Sequence, residues 1–304
     1  MNVLIIGGNG FIGSHIVERL RDEECQITVF DRSSNQFINE FENVEYIYGD
    51  YNDFHALKNA LINIDVIYHL LSTTVPKTAD KDTEYDVKSN LIGSLRLLEA
   101  VKEKKIKKFI FASSGGTVYG NPQYIPIDEK HPLHPIGSYG IVKVAIEQYI
   151  QLYAKKYNFP YLIIRPSNPF GPRQNIKGSQ GVVSTFMYKT LKKETLSVWG
   201  DGSTIRDYIY ITDVADFFVL ACLSKKTGIY NLGYGKGHTI NEIIKKIFQV
   251  TGLKTDIKYM EQDTFNVKKV ILNMEKTQEE IEWKPKVTLE EGLKMYYKWM
   301  HKQI

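Results

Sequence analysis

The sequence predicts an α/β fold, with a doubly wound parallel sheet in its first half and a smaller mixed α/β lobe after it. Three observations predict it. Short apolar runs alternate with stretches of helical periodicity as far as residue 165. A glycine-rich turn, Gly7-x-x-Gly10-x-x-Gly13, joins the first run to the first periodic stretch. After Arg165 the alternation loosens, and Pro166, Pro169, Gly171, Pro172, Gly178 and Gly181 crowd one connection. Alternating strands and helices give parallel strands, because right-handed crossovers leave few other ways to pack them. A connection rich in proline and glycine marks a lobe boundary and a functional loop. The expected division is a first domain over 1–165, with segments near 206–231 returning to it, and a second lobe over 166–304.

Taken in order, Val3 to Ile6 is the first strand and Phe11 to Arg21 the first helix, its apolar residues recurring at three and four. Strands follow at Ile27 to Phe30 and Val44 to Tyr48, a helix at Phe54 to Ile62 and a fourth strand at Val66 to Leu70. Tyr85 to Val101 reads as one long helix. Phe109 to Ala112 is the fifth strand, Tyr139 to Tyr157 a helix and Tyr161 to Ile164 the sixth strand. The second lobe shows helices at Val182 to Lys193, Asp213 to Leu223, Ile240 to Thr251 and Leu289 to His301, and no internal repeat.

Composition excludes several classes. With 304 residues, 43% hydrophobic and 24% charged, the chain is neither disordered nor fibrous. Its longest apolar run, Phe217 to Leu223, is far short of the roughly 18 residues of a membrane span. The first residues lack the basic and small-residue features of a secretory signal and read as a strand. Cys25 and Cys222 are isolated, as expected of buried thiols, and cytoplasmic localisation is expected. A net charge of +4 is too small to imply nucleic acid, and the basic run from Lys102 to Lys108 reads as a solvated helix end. No pair of histidines, His131 and His134 included, has zinc spacing on a helix, so no metal is expected.

The residues that carry chemistry begin with the glycine turn. Glycines there allow a tight turn and close approach of backbone to a pyrophosphate, while the helix N-terminus offers free amides and a positive dipole. Asp31, at the end of the second strand, is placed to accept the adenosine ribose hydroxyls and to repel a 2′-phosphate, which favours NAD over NADP. Arg32 beside it would suit NADP. Tyr139 and Lys143 lie four apart on one helix face, where an ammonium favours phenolate and makes tyrosine a usable general base. Ser113, Ser114 and Thr117 follow the fifth strand, at the carboxyl end where ligands of parallel sheets bind.

These motifs resemble those of extended short-chain dehydrogenase/reductases of the NAD-dependent epimerase/dehydratase family, UDP-glucose 4-epimerase-like in style, with a Rossmann-type sheet. The resemblance runs on through Gly49-Asp50, His69 to Ser72, Asn90 to Gly93, Arg165 to Arg173, Trp199 to Gly202, Arg206 to Tyr210 with Asp213, and Asn231 to Gly233. It implies that Phe11 and Ile12 present amides to the pyrophosphate, that Asp50 and Tyr51 touch the adenine, and that Leu70, Leu71 and Ser72 line the cofactor. Asn90 and Ser113 join that group. Tyr139 would be the base, and Lys143 would bond the nicotinamide ribose and depress the tyrosine pKa. Thr74, Asn168 and Arg206 are expected on the nucleotide-sugar substrate, the last two at its diphosphate. A homodimer through the helices beginning near Tyr85 and Tyr139 is also implied.

Two departures stand out. The Ser or Thr that usually bonds the sugar 4-hydroxyl is replaced by Gly115, with Thr117 the preferred substitute and Ser114 the other. The second phosphate-binding Arg is missing from Glu261 to Lys268, where Lys268 or Lys269 could serve only as point charges. The adjacent Asp and Glu of sugar 4,6-dehydratases are Gly116 and Thr117 here, so elimination of water lacks its acid and base. The reading that remains is a nucleotide-sugar 4-epimerase acting on a UDP-hexose through a 4-keto intermediate with tightly bound NAD. Its rival is an NAD(P)H-dependent 4-ketoreductase of an NDP-4-keto-6-deoxy sugar. No nucleic acid or membrane is expected as a partner.

Overall fold

The protein is described by a computed structural model covering residues 1–175, 181–261 and 267–304. Its first half runs β1 (Asn2–Ile6), α1 (Phe11–Leu20), β2 (Gln26–Asp31), β3 (Val44–Tyr48), α2 (Phe54–Ala60), β4 (Val66–His69) and two short helices, α3 (Pro76–Ala79) and α4 (Thr83–Asp86). A π-helical segment, Val87–Ile92, leads into α5 (Gly93–Val101), β5 (Lys108–Ala112), α6 (Ser138–Tyr157) and β6 (Tyr161–Pro166). The remainder is β7 (Asn168–Phe170), α7 (Val182–Leu191), β8 (Leu196–Trp199), β9 (Ile205–Tyr210), α8 (Ile211–Leu223), β10 (Gly228–Leu232), β11 (Gly237–Thr239), α9 (Ile240–Thr251), β12 (Ile257–Met260), α10 (Glu275–Ile281) and α11 (Leu289–His301).

Seven strands form one sheet in the order β10-β6-β5-β4-β1-β2-β3, every pair parallel. Strand order reverses between β1 and β4, which opens a crevice at their carboxyl ends. Both faces of the inner strands are covered, so β1, β4 and β5 are buried almost along their whole length and the two-residue period sorts their side chains between two layers. Val3 and Ile5 face the layer of α1 and α8, and Leu4 and Ile6 the layer of α2, α5 and α6. Each such side chain contributes roughly 1.5–3 kcal/mol on burial.

Chain from beyond Arg165 completes this sheet. β10 pairs with β6 in parallel, Ile229 opposite Ile163, and α8 packs along α1. The second lobe holds a three-stranded sheet, β11-β9-β7, and the parallel pair β12-β8. Those strands are short and partly exposed, and their sequences carry no run that distinguishes them.

The single helix expected over Tyr85 to Val101 is interrupted. Ser89 Oγ donates to Tyr85 O at 2.6 Å and Ser94 Oγ to Asn90 O at 2.6 Å, so hydroxyls occupy carbonyls of the helix ladder. The extra residue of the π turn leaves Asn90 bonded to Asp86, at 2.8 Å.

Candidate active site

The crevice is floored by the glycine turn. Gly7 has φ +85°, and a Cβ there would lie 2.9 Å from Leu71 N on the far side of the crevice. A Cβ at Gly13 would sit 2.2 Å from Gly7 O, so only glycine lets α1 approach β1 this closely. Helix α1 opens at Gly10 with no side-chain cap and no acidic residue in its first turn, leaving the amides of Phe11 and Ile12 and the positive dipole free for an anion. Asp31 closes the rim: its carboxylate accepts from Asn9 N at 3.0 Å and from Arg32 N at 2.7 Å, while the Arg32 side chain is exposed. A backbone cradle, uncapped amides and a rim carboxylate fit a dinucleotide.

The other proposed cofactor residues divide. Leu70 and Leu71 are half-buried along the crevice, and Ser72 and Asp50 are exposed at its edge. The Tyr51 ring is buried against His69, 5.5 Å between centroids, so only its backbone is left for adenine. Asn90 spends its amide on the protein: Oδ1 accepts from Thr73 N at 2.9 Å, and Nδ2 donates to Thr74 Oγ1 at 3.0 Å and to Asp86 Oδ1. The Ser113 hydroxyl donates to Glu147, deep beneath the sheet end. In these bonds Asn90 and Ser113 hold the crevice walls in place.

Tyr139 and Lys143 stand on the first two turns of α6. The Lys143 ammonium lies 5.6 Å from the centre of the Tyr139 ring and donates to Ala112 O at 2.9 Å. Burial draws its pKa down to about 8, against the opposing pull of Glu147 and Asp86. The phenol differs from expectation. Burial pushes Tyr139 up to about 12; a hydrogen bond with Ser72 works the other way and the Asp86 charge adds to the rise. Desolvation is the largest of these effects on the phenol.

Gly115 explains the missing hydroxyl. A Cβ there would meet Leu272 Cδ1 at 2.7 Å and Arg165 O at 2.9 Å, so position 115 points into the sheet end and away from the crevice. Ser114 is half-exposed, and a Cβ at Gly116 would meet only the Ser114 hydroxyl, at 4.0 Å. Thr117 Oγ1 is buried with no hydrogen-bond partner among the described residues. The Thr74 hydroxyl donates to Asp86 at 2.6 Å and is buried.

Asn168 and Arg206 lie on β7 and β9, which pair in parallel, Asn168 opposite Tyr208. Asn168 Nδ2 donates to Asp207 O at 3.0 Å and Arg206 Nη1 to Ile205 O at 2.9 Å. Lys268 and Lys269 run beside this strand, Lys268 O accepting from Ile205 N at 2.9 Å. Gly178, and most of the segment where the second Arg was sought, lie outside the described residues.

Sequence reasoning assigned no role to a buried network under the site. Arg165 meets Glu147 twice, at 2.5 and 3.0 Å, and Tyr119 OH at 2.9 Å; that hydroxyl donates to Asn231 Oδ1 at 2.7 Å. A signal existed: Glu147 interrupts the apolar face of Val142, Ile146 and Ile150, and Arg165 ends an apolar strand.

A parallel sheet with a phosphate cradle at its switch point, and a Tyr-x-x-x-Lys pair at the neighbouring helix, define a dinucleotide-dependent enzyme of the short-chain dehydrogenase/reductase type. The chain belongs to the NAD dependent epimerase/dehydratase family, whose model matches residues 3–233. It is 35% identical over 300 residues to a putative UDP-glucose 4-epimerase of Methanocaldococcus jannaschii, covering 98% of each chain. It is 31% identical to a dTDP-4-dehydro-6-deoxyglucose reductase of Escherichia coli, covering 96% of this chain and 95% of that one. The crystal structure of a UDP-glucose 4-epimerase with UDP-glucose from Thermotoga maritima superposes with a TM-score of 0.95 at 36% identity, covering 100% of this chain and 99% of the other.

Proposed function

We propose that this protein is a nucleotide-sugar 4-epimerase acting on a UDP-hexose with NAD held throughout the reaction. One observation carries the reading. In the segment after β5, where dehydratase and decarboxylase relatives of the resembled family carry their catalytic acids, the chain has Ser114-Gly115-Gly116-Thr117, hydroxyls and glycines with no carboxylate to eliminate water or assist decarboxylation. Proton transfer at the 4-hydroxyl is the chemistry these groups support. The likeness to UDP-glucose 4-epimerases over the whole chain agrees with it.

When bound, NAD supplies a hydride acceptor at the sugar C4 and a positive charge that favours phenolate nearby. Tyr139 Oη takes the 4-hydroxyl proton as the C4–H bond breaks and the 4-keto sugar forms. Once the sugar has presented its other face, with bound NAD able to return the hydride it accepted, Tyr139 would give the proton back to the 4-oxygen. Lys143, held by Ala112 O, keeps donors for the nicotinamide ribose. Ser114, half-exposed at the end of β5, bonds the 4-hydroxyl in place of residue 115, ahead of the Thr117 preferred from the sequence, whose hydroxyl is buried and has no partner among the described residues. Arg206, with its planar permanent charge, and Asn168 take the diphosphate, assisted by Lys268 and Lys269. The 166–304 lobe is thus the substrate lobe, Asp31 selects NAD over NADP, and Asp50 and the Tyr51 backbone receive the adenine.

Turnover of UDP-glucose or UDP-N-acetylglucosamine to its C4 epimer by purified protein, without added cofactor, tests the reading. Stoichiometric consumption of NADH or NADPH with a 4-keto-6-deoxy sugar would support the ketoreductase reading, which the Escherichia coli relative favours. Tyr139→Phe should abolish turnover and leave NAD binding nearly intact; retained turnover sinks the assignment.

Exposed apolar side chains on the outer faces of these helices, Tyr85, Val87, Ile92, Ile141, Tyr149 and Leu152, support a homodimer through them. Sedimentation as a monomer at micromolar concentration would refute it. No described helix is long and apolar enough to cross a membrane, and two unpaired thiols suit a cytoplasmic setting.

A further inference from the structure

Two carboxylates are fully buried close to the Tyr139–Lys143 pair. Glu147 is matched by Arg165, but Asp86 enters no ion pair among the described residues. Its oxygens accept from three neutral donors: Oδ1 from Thr74 Oγ1 at 2.6 Å and Asn90 Nδ2 at 2.8 Å, and Oδ2 from Ser138 Oγ at 2.7 Å. Burying a carboxylate without a cation is costly, and these three hydrogen bonds offset only part of the cost.

The position of Asp86 suggests a purpose. Helix α6 starts at Gly137, which has no side chain to cap it. Acids from outside the helix do so: Asp80 Oδ1 accepts from Ser138 N at 2.7 Å, and Asp86 holds the Ser138 side chain. Both suit the positive helix end. Tyr139 is the next residue. Through Thr74 and Asn90 the same carboxylate grips the loop after β4, where Ser72 touches the phenol.

We propose that Asp86 is a positioning residue for Tyr139: it locks the first turn of α6 to the loop after β4 and places a carboxylate beside the Tyr139–Lys143 pair. The inference rests on Tyr139 being the acid–base group. The charged and titratable groups around that pair are Lys143 on the same helix, Asp86 from α4, Asp80 at the end of α3, Glu147 one turn beyond Lys143 and His69 from β4. Of these, Asp86 is the one that raises the phenol pKa, so its charge keeps the proton on Tyr139.

Two variants separate anchor from charge. Asp86→Asn keeps the shape: Oδ1 still accepts from Thr74 and Asn90, and the new amide donates to Ser138 Oγ. Its acid limb in the kcat/KM profile should move about 1 pH unit lower, with plateau kcat within about threefold of wild type. Asp86→Ala removes all three bonds. It should lower kcat about tenfold or more, with KM little changed, and speed hydrogen exchange at the Ser138 to Ile141 amides of cofactor-free protein by about tenfold. An unmoved limb in the Asn variant overturns the role of the charge, and unchanged exchange in the Ala variant overturns the anchor. If wild-type protein does not epimerise, the functional reading falls by itself, and the exchange measurement, needing neither substrate nor cofactor, still decides the anchor.

Discussion

Replacing Gly115 by Ser puts back the hydroxyl that the family resemblance leads one to expect, and it should damage the protein. The new Cβ would lie 2.7 Å from Leu272 Cδ1, 2.9 Å from Arg165 O and 3.2 Å from Pro166 O. Two of these are backbone oxygens of a central strand, and Leu272 is in the core. The residue cannot retreat, because its N–H donates to Pro166 O at 2.8 Å. Overpacking of this kind costs about 1–3 kcal/mol, and weakening that hydrogen bond about 1 more. The sum, about 2–4 kcal/mol, lowers Tm by about 3–6 °C in a chain of 304 residues. Circular dichroism melts and epimerase turnover should be recorded beside Ser114→Ala, which is expected to keep Tm within about 1 °C and lose turnover. A Gly115→Ser protein as stable as wild type and faster would show that position 115 faces the substrate, and the assignment to Ser114 would fall.

Acid should destabilise the fold through two buried neutral imidazoles. Burial, aided by Arg173, draws His15 down to about 4, and burial with Lys143 draws His69 to about 3. Folded-state pKa values below the unfolded value near 6.5 mean that this stability is complete above pH 6.5 and falls with pH, each group losing about 2 kcal/mol by pH 5. The loss levels off only near 4 for His15 and 3 for His69; a urea midpoint equal at pH 7 and pH 5 would contradict it. Arg165→Met strands Glu147 and should cost about 3–5 kcal/mol in urea unfolding, most of it recovered in the Arg165→Met/Glu147→Leu double variant. Additive losses would refute the coupling. Gly13→Ala pushes α1 off the Gly7 carbonyl and should weaken NAD binding about tenfold or more in a fluorescence titration; unchanged affinity would mean that the cradle is elsewhere.

Strands β1 to β6 were legible because they stand out as short apolar runs, and Gly7, Gly10 and Gly13 gave away the crevice by what they lack; β10, Gly228–Leu232, with Asn231 inside it, did not stand out as a strand. Strands β8 and β12 were not legible either, since a four-residue partly exposed strand differs little from a loop. The helix over Tyr85 to Val101 misled because periodicity registers apolar faces and is blind to Ser89 and Ser94 taking carbonyls from the ladder. In the site, the identity and spacing of Tyr139 and Lys143 were readable, but the opposing effect of burial on both groups was not. Spacing places an ammonium near a phenol; only the fold shows that Ala112 O holds the ammonium while burial raises the phenol. Asp86 and Arg165 escaped a role for a similar reason, as each acts through partners far away in sequence.

The return of chain from the second lobe has a consequence for how the molecule is made. Helix α1 rests on α8, and β6 finds its outer neighbour only in β10, so α1, once synthesised, waits roughly 200 residues for its partner, about 10–40 s at ordinary synthesis rates of about 5–20 residues per second. Until then the apolar face of α1 and the open edge of β6 are available to other chains. A fragment stopped at residue 165 would remain in that exposed condition, prone to aggregate, and the shortest piece with a closed sheet extends to Leu232.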